Sequence, residues 1–416
     1  MATFFLIIIY LAFISLGLPD SLLGTAWPVM RPELNAPLGA AGVLYMTIAA
    51  GTIVSSLASG TILNRFGTGR VTLVSCIMTA GALLGYATSP SLVWLLVCAI
   101  PLGLGAGAVD AGLNNYVAAH YKAHHMSWLH CFWGVGATLG PVIMAQFIAG
   151  NAWRYGYLTV AAIQCALVVI LFFSLPLWDR VAKIHSRVSA RAVQEEALSE
   201  LGEETAAGHP LKIRGVKLAL VSFMLYCGIE AAVGLWGSSF LVNMKNVSAS
   251  TAAQWVSLYY AGITAGRFIT GFITFKVSNR NLIRGGQLIA LTGALLLFLP
   301  LPEGFALAGL IIVGFGLAPI YPCMLHETPV RFGKKQSQSI MGYQMAVAYT
   351  GSTLMPPLLG LLASTITIGI FPFYIVLCTA AMFLFTERLN IFLKSKTDLA
   401  HAGIGINSGS GSDKSI

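Results

Sequence analysis

Between Leu92 and Ala119 the chain runs for 28 residues, LVWLLVCAIPLGLGAGAVDAGLNNYVAA, with one charged side chain, Asp110. A helix crossing a bilayer needs about 20 apolar residues and rarely more than about 25, so the stretch reads as a membrane helix with an acid sealed inside it. A carboxylate at that depth costs on the order of 2.5 to 3.5 kcal/mol even on lenient insertion scales and persists only where it faces protein or water. Gly103, Gly107, Asp110 and Asn114 recur at i, i+4, i+7 and i+11, one narrow stripe of small and polar residues on a helix. Small residues admit a neighbouring helix or a ligand. Asp110 therefore either pairs with a polar group on that neighbour or serves transport or binding.

Composition extends the reading to the whole chain. Of its 416 residues 56% are hydrophobic and only 9% charged, against about 25% charged in a soluble domain. Apolar windows separated by turn or charge clusters give twelve spans, near 3–28, 40–63, 70–88, 92–119, 127–149, 154–177, 215–241, 252–275, 282–300, 304–326, 337–363 and 368–390. The first has no basic segment before it and is too long for a signal peptide, so it is expected as a retained span. The fold class is thus all-α and polytopic. An N-terminal bundle of six helices is expected over 1–178, a cytoplasmic linker over 179–214, a second bundle over 215–393 and a disordered cytoplasmic tail over 394–416.

The net charge of +9 would suggest nucleic acid in a soluble protein. Here the alternating loops place twenty Lys and Arg on one face and three, Arg31, Arg154 and Lys245, on the other, with Arg267 inside a span. That bias puts both termini in the cytoplasm of a cell-membrane protein and accounts for the charge without nucleic acid. The seven cysteines lie in apolar runs with no C-x-x-C pair, so no metal or cofactor is expected. Nor does any constellation of nucleophile, base and orienting group point to an enzyme.

The two halves repeat. GLPDSLLG (Gly17 to Gly24) aligns with CGIEAAVG (Cys227 to Gly234), setting Asp20 opposite Glu230; GATLGP (Gly136 to Pro141) aligns with GSTLMP (Gly351 to Pro356). Gly103 and Gly105 match Gly314 and Gly316, and Asn64-Arg65 matches Asn279-Arg280. Parallel repeats of six spans are a transporter architecture, with the substrate near the midplane between halves.

With these residues in view the sequence resembles the major facilitator superfamily. GTILNRFGTGR (Gly60 to Arg70) is similar to that family's loop between the second and third helices. The resemblance implies a cytoplasmic gating loop made of Gly60, Asn64, Arg65, Gly67 and Arg70, with Asn64 where an Asp is usual. YCGIE (Tyr226 to Glu230), AGITAGRFITGF (Ala261 to Phe272), GFGLAPIYP (Gly314 to Pro322) and GLGAGAVDAGLNN in span four resemble the fucose/glucose/galactose:proton symporter branch. There, acids in helices one and four are associated with sugar binding and proton coupling, which maps to Asp20 and Asp110.

The candidate site follows. Pro19 removes an N–H beside Asp20 and disturbs the helix, freeing a carbonyl near the acid. Phe13, Gly17, Asp20, Gly24 and Trp27 share one face, and Phe223, Tyr226, Glu230, Gly234 and Gly237 share another. Acid, aromatic and glycine on each face suit a sugar, whose C–H groups meet rings while carboxylates and amides meet its hydroxyls; each aromatic could equally be packing. Asp20, Glu230, Asn114, Trp27, Tyr226 and Gln344 are the expected substrate contacts, and Asp110 and Asp20 the proton carriers. Arg267 is the expected charge partner. It can neutralise one acid and leaves the others free to take up and release a proton, unless it is a structural partner for span eleven or snorkels to the lipid surface. Proton-coupled uptake of a monosaccharide by a monomer in contact with membrane lipid is the reading. The rivals are efflux of an apolar or cationic compound and a sensor that does not transport.

Overall fold

The computed structural model describes residues 2–121, 123–196, 211, 213, 215–274 and 276–407. Helix accounts for nearly all of them, with no strand among the described residues. The first six crossings are α1 (Ala2–Asp20) with α2 (Leu22–Glu33), α3 (Ala40–Phe66), α4 (Thr68–Ala87), α5 (Leu92–His120), α6 (Ala123–Ile148) and α7 (Trp153–Glu196). The second six are α8 (Val216–Lys245), α9 (Ala249–Ile273), α10 (Asn279–Phe298), α11 (Glu303–Leu317) with α12 (Ile320–Phe332), α13 (Lys334–Thr365) and α14 (Phe371–Asn407). Eleven of these crossings are long and apolar enough to span a membrane, counted among the described residues. The twelfth, α9, has the length, at 25 residues, but is enriched in Ser, Thr and Tyr and carries Arg267.

Local chemistry sets the boundaries. Ser91, Ser248 and Ser278 open α5, α9 and α10, their hydroxyls accepting from the N–H groups of Trp94, Thr251 and Asn281 at 3.3, 3.1 and 3.4 Å, donors that a helix start leaves unpaired. The first crossing breaks at Ser21. Pro19 cannot bond the carbonyl of Ser15, and Gln164 of α7 takes its place, Nε2 donating to that oxygen at 2.8 Å. A second break, between α11 and α12, falls at Ala318 and Pro319.

The internal repeat is a packing repeat. Gly136 of α6 leaves no room for a Cβ against the Ile14 carbonyl of α1, and Gly351 of α13 repeats this against Met224 of α8, the residue aligned with Ile14. Gly103 against Ile48 and Gly314 against Tyr259 form another matched pair, joining α5 to α3 and α11 to α9. At a third crossing the small residue changes sides: Gly140 meets Leu18 in the first half, whereas Gly228 meets Met355 in the second. Close helix contact through small residues is what lipid-embedded bundles rely on, since lipid tails leave no hydrophobic force between helices.

The halves meet along three seams, α2 with α8, α3 with α13 and α6 with α9. Gly24 and Gly234, aligned in the repeat, touch each other across the first seam. Gly42 packs on Pro357 across the second, and Ser250 Oγ donates to the Ala145 carbonyl at 2.9 Å across the third. All three contacts lie toward the end of the bundle opposite the chain termini, where the halves are closed on each other. Helix continues past the expected bundle limits, to Glu196 in α7 and to Asn407 in α14. Residues 394–407, read above as disordered tail, are thus helical, no proline after Pro372 interrupting α14. The rest of the expected linker (197–210, 212 and 214) and of the tail (408–416) lies outside the described residues.

Candidate functional site

Asp20 sits directly after Pro19, at the end of α1, and its side chain is left exposed in the middle of a membrane crossing. Trp133 of α6 donates its indole N–H to Asp20 Oδ2 at 2.8 Å. The face of the same indole meets Arg267 of α9, whose guanidinium carbon is 5.5 Å from the ring centroid, within cation–π range. Arg267 crosses no further: its Nη2 lies 3.3 and 3.4 Å from the Glu230 carboxylate oxygens and 3.2 Å from the Tyr226 hydroxyl oxygen. Tyr226 in turn donates its O–H to Glu230. The Tyr259 hydroxyl donates to the Glu230 carbonyl at 3.2 Å. One chain of contacts, Asp20 to Trp133 to Arg267 to Glu230 to Tyr226, therefore runs from the first half of the molecule into the second.

Arg267 and Glu230 expose only 12% and 16% of their side chains. Such a pair is costly to bury and costlier to break, because removing either charge strands the other. Asp20 and Asp110 have no cation within ion-pair distance among the described residues. Asp110 is held by neutral donors instead. Asn114 Nδ2 reaches its Oδ1 at 2.8 Å, and the hydroxyl of Tyr349, on α13 in the other half, reaches its Oδ2 at 3.4 Å.

The expected substrate contacts divide. Asp20, Glu230, Tyr226 and Asn114 belong to this central network. Trp27 does not: it is wholly buried, and its indole donates to the Leu38 carbonyl at 3.1 Å, fastening α2 to the turn before α3. Gln344 is also buried, accepting from Thr328 at 2.9 Å between α12 and α13. Trp27 shares a helical face with Asp20, and Gln344 lies in the span that pseudosymmetry matches to the fifth, but the hydrogen bonds they make are packing contacts. Gln287 is also buried, its Nε2 donating to Thr386 at 2.9 Å. Trp133 and Tyr349 were missed. Trp133 lies three residues before Gly136, so projecting GATLGP back one turn along the same face would have found it; for Tyr349 no comparable signal exists.

Around the acids stand further rings. Tyr321 packs 5.0 Å from Phe223 and 6.0 Å from Tyr226, and Tyr260 lies 6.4 Å from Trp133. His130 sits 6.1 Å from Phe13 and 6.3 Å from Tyr321, linking the halves toward the termini. No group of three or more His, Cys, Asp or Glu among the described residues could hold a metal ion.

A family model described as Major Facilitator Superfamily matches residues 9–356. The chain belongs to the Major Facilitator Superfamily. Among its relatives, the glucose/mannose transporter GlcP of Bacillus subtilis is 24% identical over 273 residues, 64% of this chain and 65% of that protein. The cis,cis-muconate transport protein of Acinetobacter baylyi is 22% identical over 93% of both chains. The first curated relatives that the chain matches are covered over 60% to 66% of their own length. The solved xylose transporter XylE of E. coli, in a partially occluded inward open conformation, superposes with a TM-score of 0.69 at 15% identity, covering 92% of this chain and 98% of that one. The superfamily membership and the relatives are those of transporters, not enzymes. In this superfamily member the loop expected to gate has an open, exposed form. Gly67 adopts φ +78°, which favours glycine, and Gly60 has nothing near its missing Cβ. Asn64, Arg65 and Arg70 are exposed, with no ion pair among the described residues.

Proposed function

We propose that this chain is a proton-coupled symporter that takes up a monosaccharide by alternating access, with both termini cytoplasmic. The observation that carries the reading is the unequal treatment of three central carboxylates. Glu230 is committed to Arg267, while Asp20 and Asp110 are held by N–H and O–H donors that carry no charge. A carboxylate beside a cation keeps its charge; one beside neutral donors can gain and lose a proton without stranding a partner. Asp110 and Asp20 are thus assigned the proton, and Asp20, Glu230, Asn114 and Tyr226 the sugar hydroxyls. The rings of Trp133, Tyr260 and Tyr321 offer apolar faces to sugar C–H groups. Two bundles, 1–178 and 215–393, would rock about this site.

Three carboxylates against one guanidinium make the site a poor host for a dianion such as muconate, since like charges a few ångströms apart repel strongly in a dry cavity. They suit a neutral polyol. They also suit a cation, so efflux of an apolar or cationic compound remains the competing reading. Counterflow in proteoliposomes with hexoses, pentoses and cationic dyes separates them: sugar exchange supports uptake of a monosaccharide, dye exchange without sugar exchange overturns it in favour of efflux, and exchange of muconate alone overturns both.

A further inference from the structure

The repeat that built two similar halves also built two similar seams, and they differ at one matched position. Under the alignment of GATLGP with GSTLMP, Gly134 of α6 corresponds to Tyr349 of α13. In the α6·α9 seam Gly134 lets Thr264 close directly onto the helix backbone, leaving no space for a Cβ. In the α3·α13 seam a tyrosine fills that place, and its hydroxyl reaches past α3 to Asp110 of α5 at 3.4 Å, with Ser56 of α3 beside the same oxygen. Ser56 itself donates to the Gly107 carbonyl at 3.2 Å, on the stripe that carries Asp110. At this matched position one seam is closed by a glycine and the other by a hydrogen bond onto an acid.

We propose that Tyr349 is the positioning residue that couples the proton on Asp110 to movement of α13 against α3 and α5. This rests on the symport reading for its purpose but on geometry for its content. With Asp110 ionised, both carboxylate oxygens accept, one from Asn114 and one from Tyr349, and the second of these bonds ties the halves together. When Asp110 gains a proton, the oxygen that carries it becomes a donor. The Tyr349 hydroxyl can accept from it, but the bond is then neutral on both sides and loses the charge assistance that makes a bond to a carboxylate about twice as strong, so the tie loosens and the seam can open. The groups facing Asp110 are Asp20 of α1, Tyr321 of α12 and Tyr349 of α13, with Asn114 of its own helix and Ser56 of α3. None is a cation, so no fixed charge holds Asp110 in one state.

Tyr349→Phe keeps the ring and removes the tie. In proteoliposomes it should cut sugar accumulation against a gradient about tenfold, a typical coupling factor, while counterflow exchange stays close to that of the parent. Adding Asp110→Asn should cost nothing more, because the two changes remove the same link. A readout free of substrate accompanies these: Ala346, exposed and three residues before Tyr349 on the same face of α13, is replaced by cysteine and its maleimide labelling followed against pH, with the parent as background. Labelling should change with pH in Ala346→Cys alone and become insensitive to pH when either Tyr349→Phe or Asp110→Asn is added. Labelling indifferent to pH at the outset, a pH response that survives both variants, or additive losses in the double variant would each overturn the coupling role. Absence of any sugar exchange in the parent would instead defeat the symport reading and leave the labelling result to stand on its own.

Discussion

Asp20 and Glu230 occupy matched positions of the two halves, on helices whose aligned glycines Gly24 and Gly234 touch across the pseudosymmetry axis, yet their surroundings have parted. Glu230 faces a guanidinium and a phenol and is 16% exposed; Asp20 faces an indole N–H and is left more exposed. The same backbone frame therefore supports two kinds of acid. One is a fixed charge that holds an arginine inside the membrane, and the other is a group whose charge the protein leaves unpaired. Duplication supplied the frame, and a single cation on α9, with no counterpart inside the first bundle, broke the equivalence.

The largest expected effect tests that asymmetry directly. Arg267→Met strands the buried Glu230 charge and should destabilise the detergent-solubilised protein by about 3 to 5 kcal/mol, with most of the loss recovered when Glu230→Gln is added. Asp20→Asn removes no ion pair and should cost only about 1 kcal/mol. Thermal unfolding midpoints rank the three, and equal losses for Arg267→Met and Asp20→Asn would erase the distinction between the two acids.

A smaller effect is expected where the two acids are joined. Trp133→Phe keeps a ring under Arg267 but removes the donor to Asp20, a hydrogen bond to a charged group worth about 1.5 to 3 kcal/mol. The half-saturating sugar concentration for exchange should rise, and thermal stability should fall by no more than that one bond is worth, because the Arg267–Glu230 pair stays in place. A fall in stability as large as that of Arg267→Met would instead make Trp133 a support for the ion pair.

Asp110→Asn sharpens the comparison from the side of coupling. It should lower accumulation about tenfold more than it lowers exchange, a coupling free energy in the usual range, whereas Glu230→Gln should lower both together. Uphill uptake by Asp110→Asn at low external pH would move the proton to Asp20. The smallest effect is expected at Trp27, where Trp27→Phe loses one hydrogen bond to Leu38, about 1 kcal/mol; a change in sugar affinity there would return Trp27 to the site.

Much of this molecule is written in one dimension. Length and polarity determined the helical crossings, because a lipid solvent tolerates few alternatives. The aligned glycines determined where helices touch, so Gly136 and Gly351, or Gly103 and Gly314, find matching partners. The depth of Asp20, Asp110, Glu230 and Arg267 was equally legible, since an ionisable residue in an apolar run has nowhere else to be. What only the tertiary structure decided is who faces whom. That Arg267 takes Glu230, that Trp133 serves Asp20, that Tyr349 reaches Asp110 from the other half, and that Trp27 and Gln344 turn into packing all depend on rotation and depth of one helix against another. Periodicity places a residue on a face of its own helix to within a turn, but a hydrogen bond is decided within about an ångström, and that last distance is set by every other side chain in the seam.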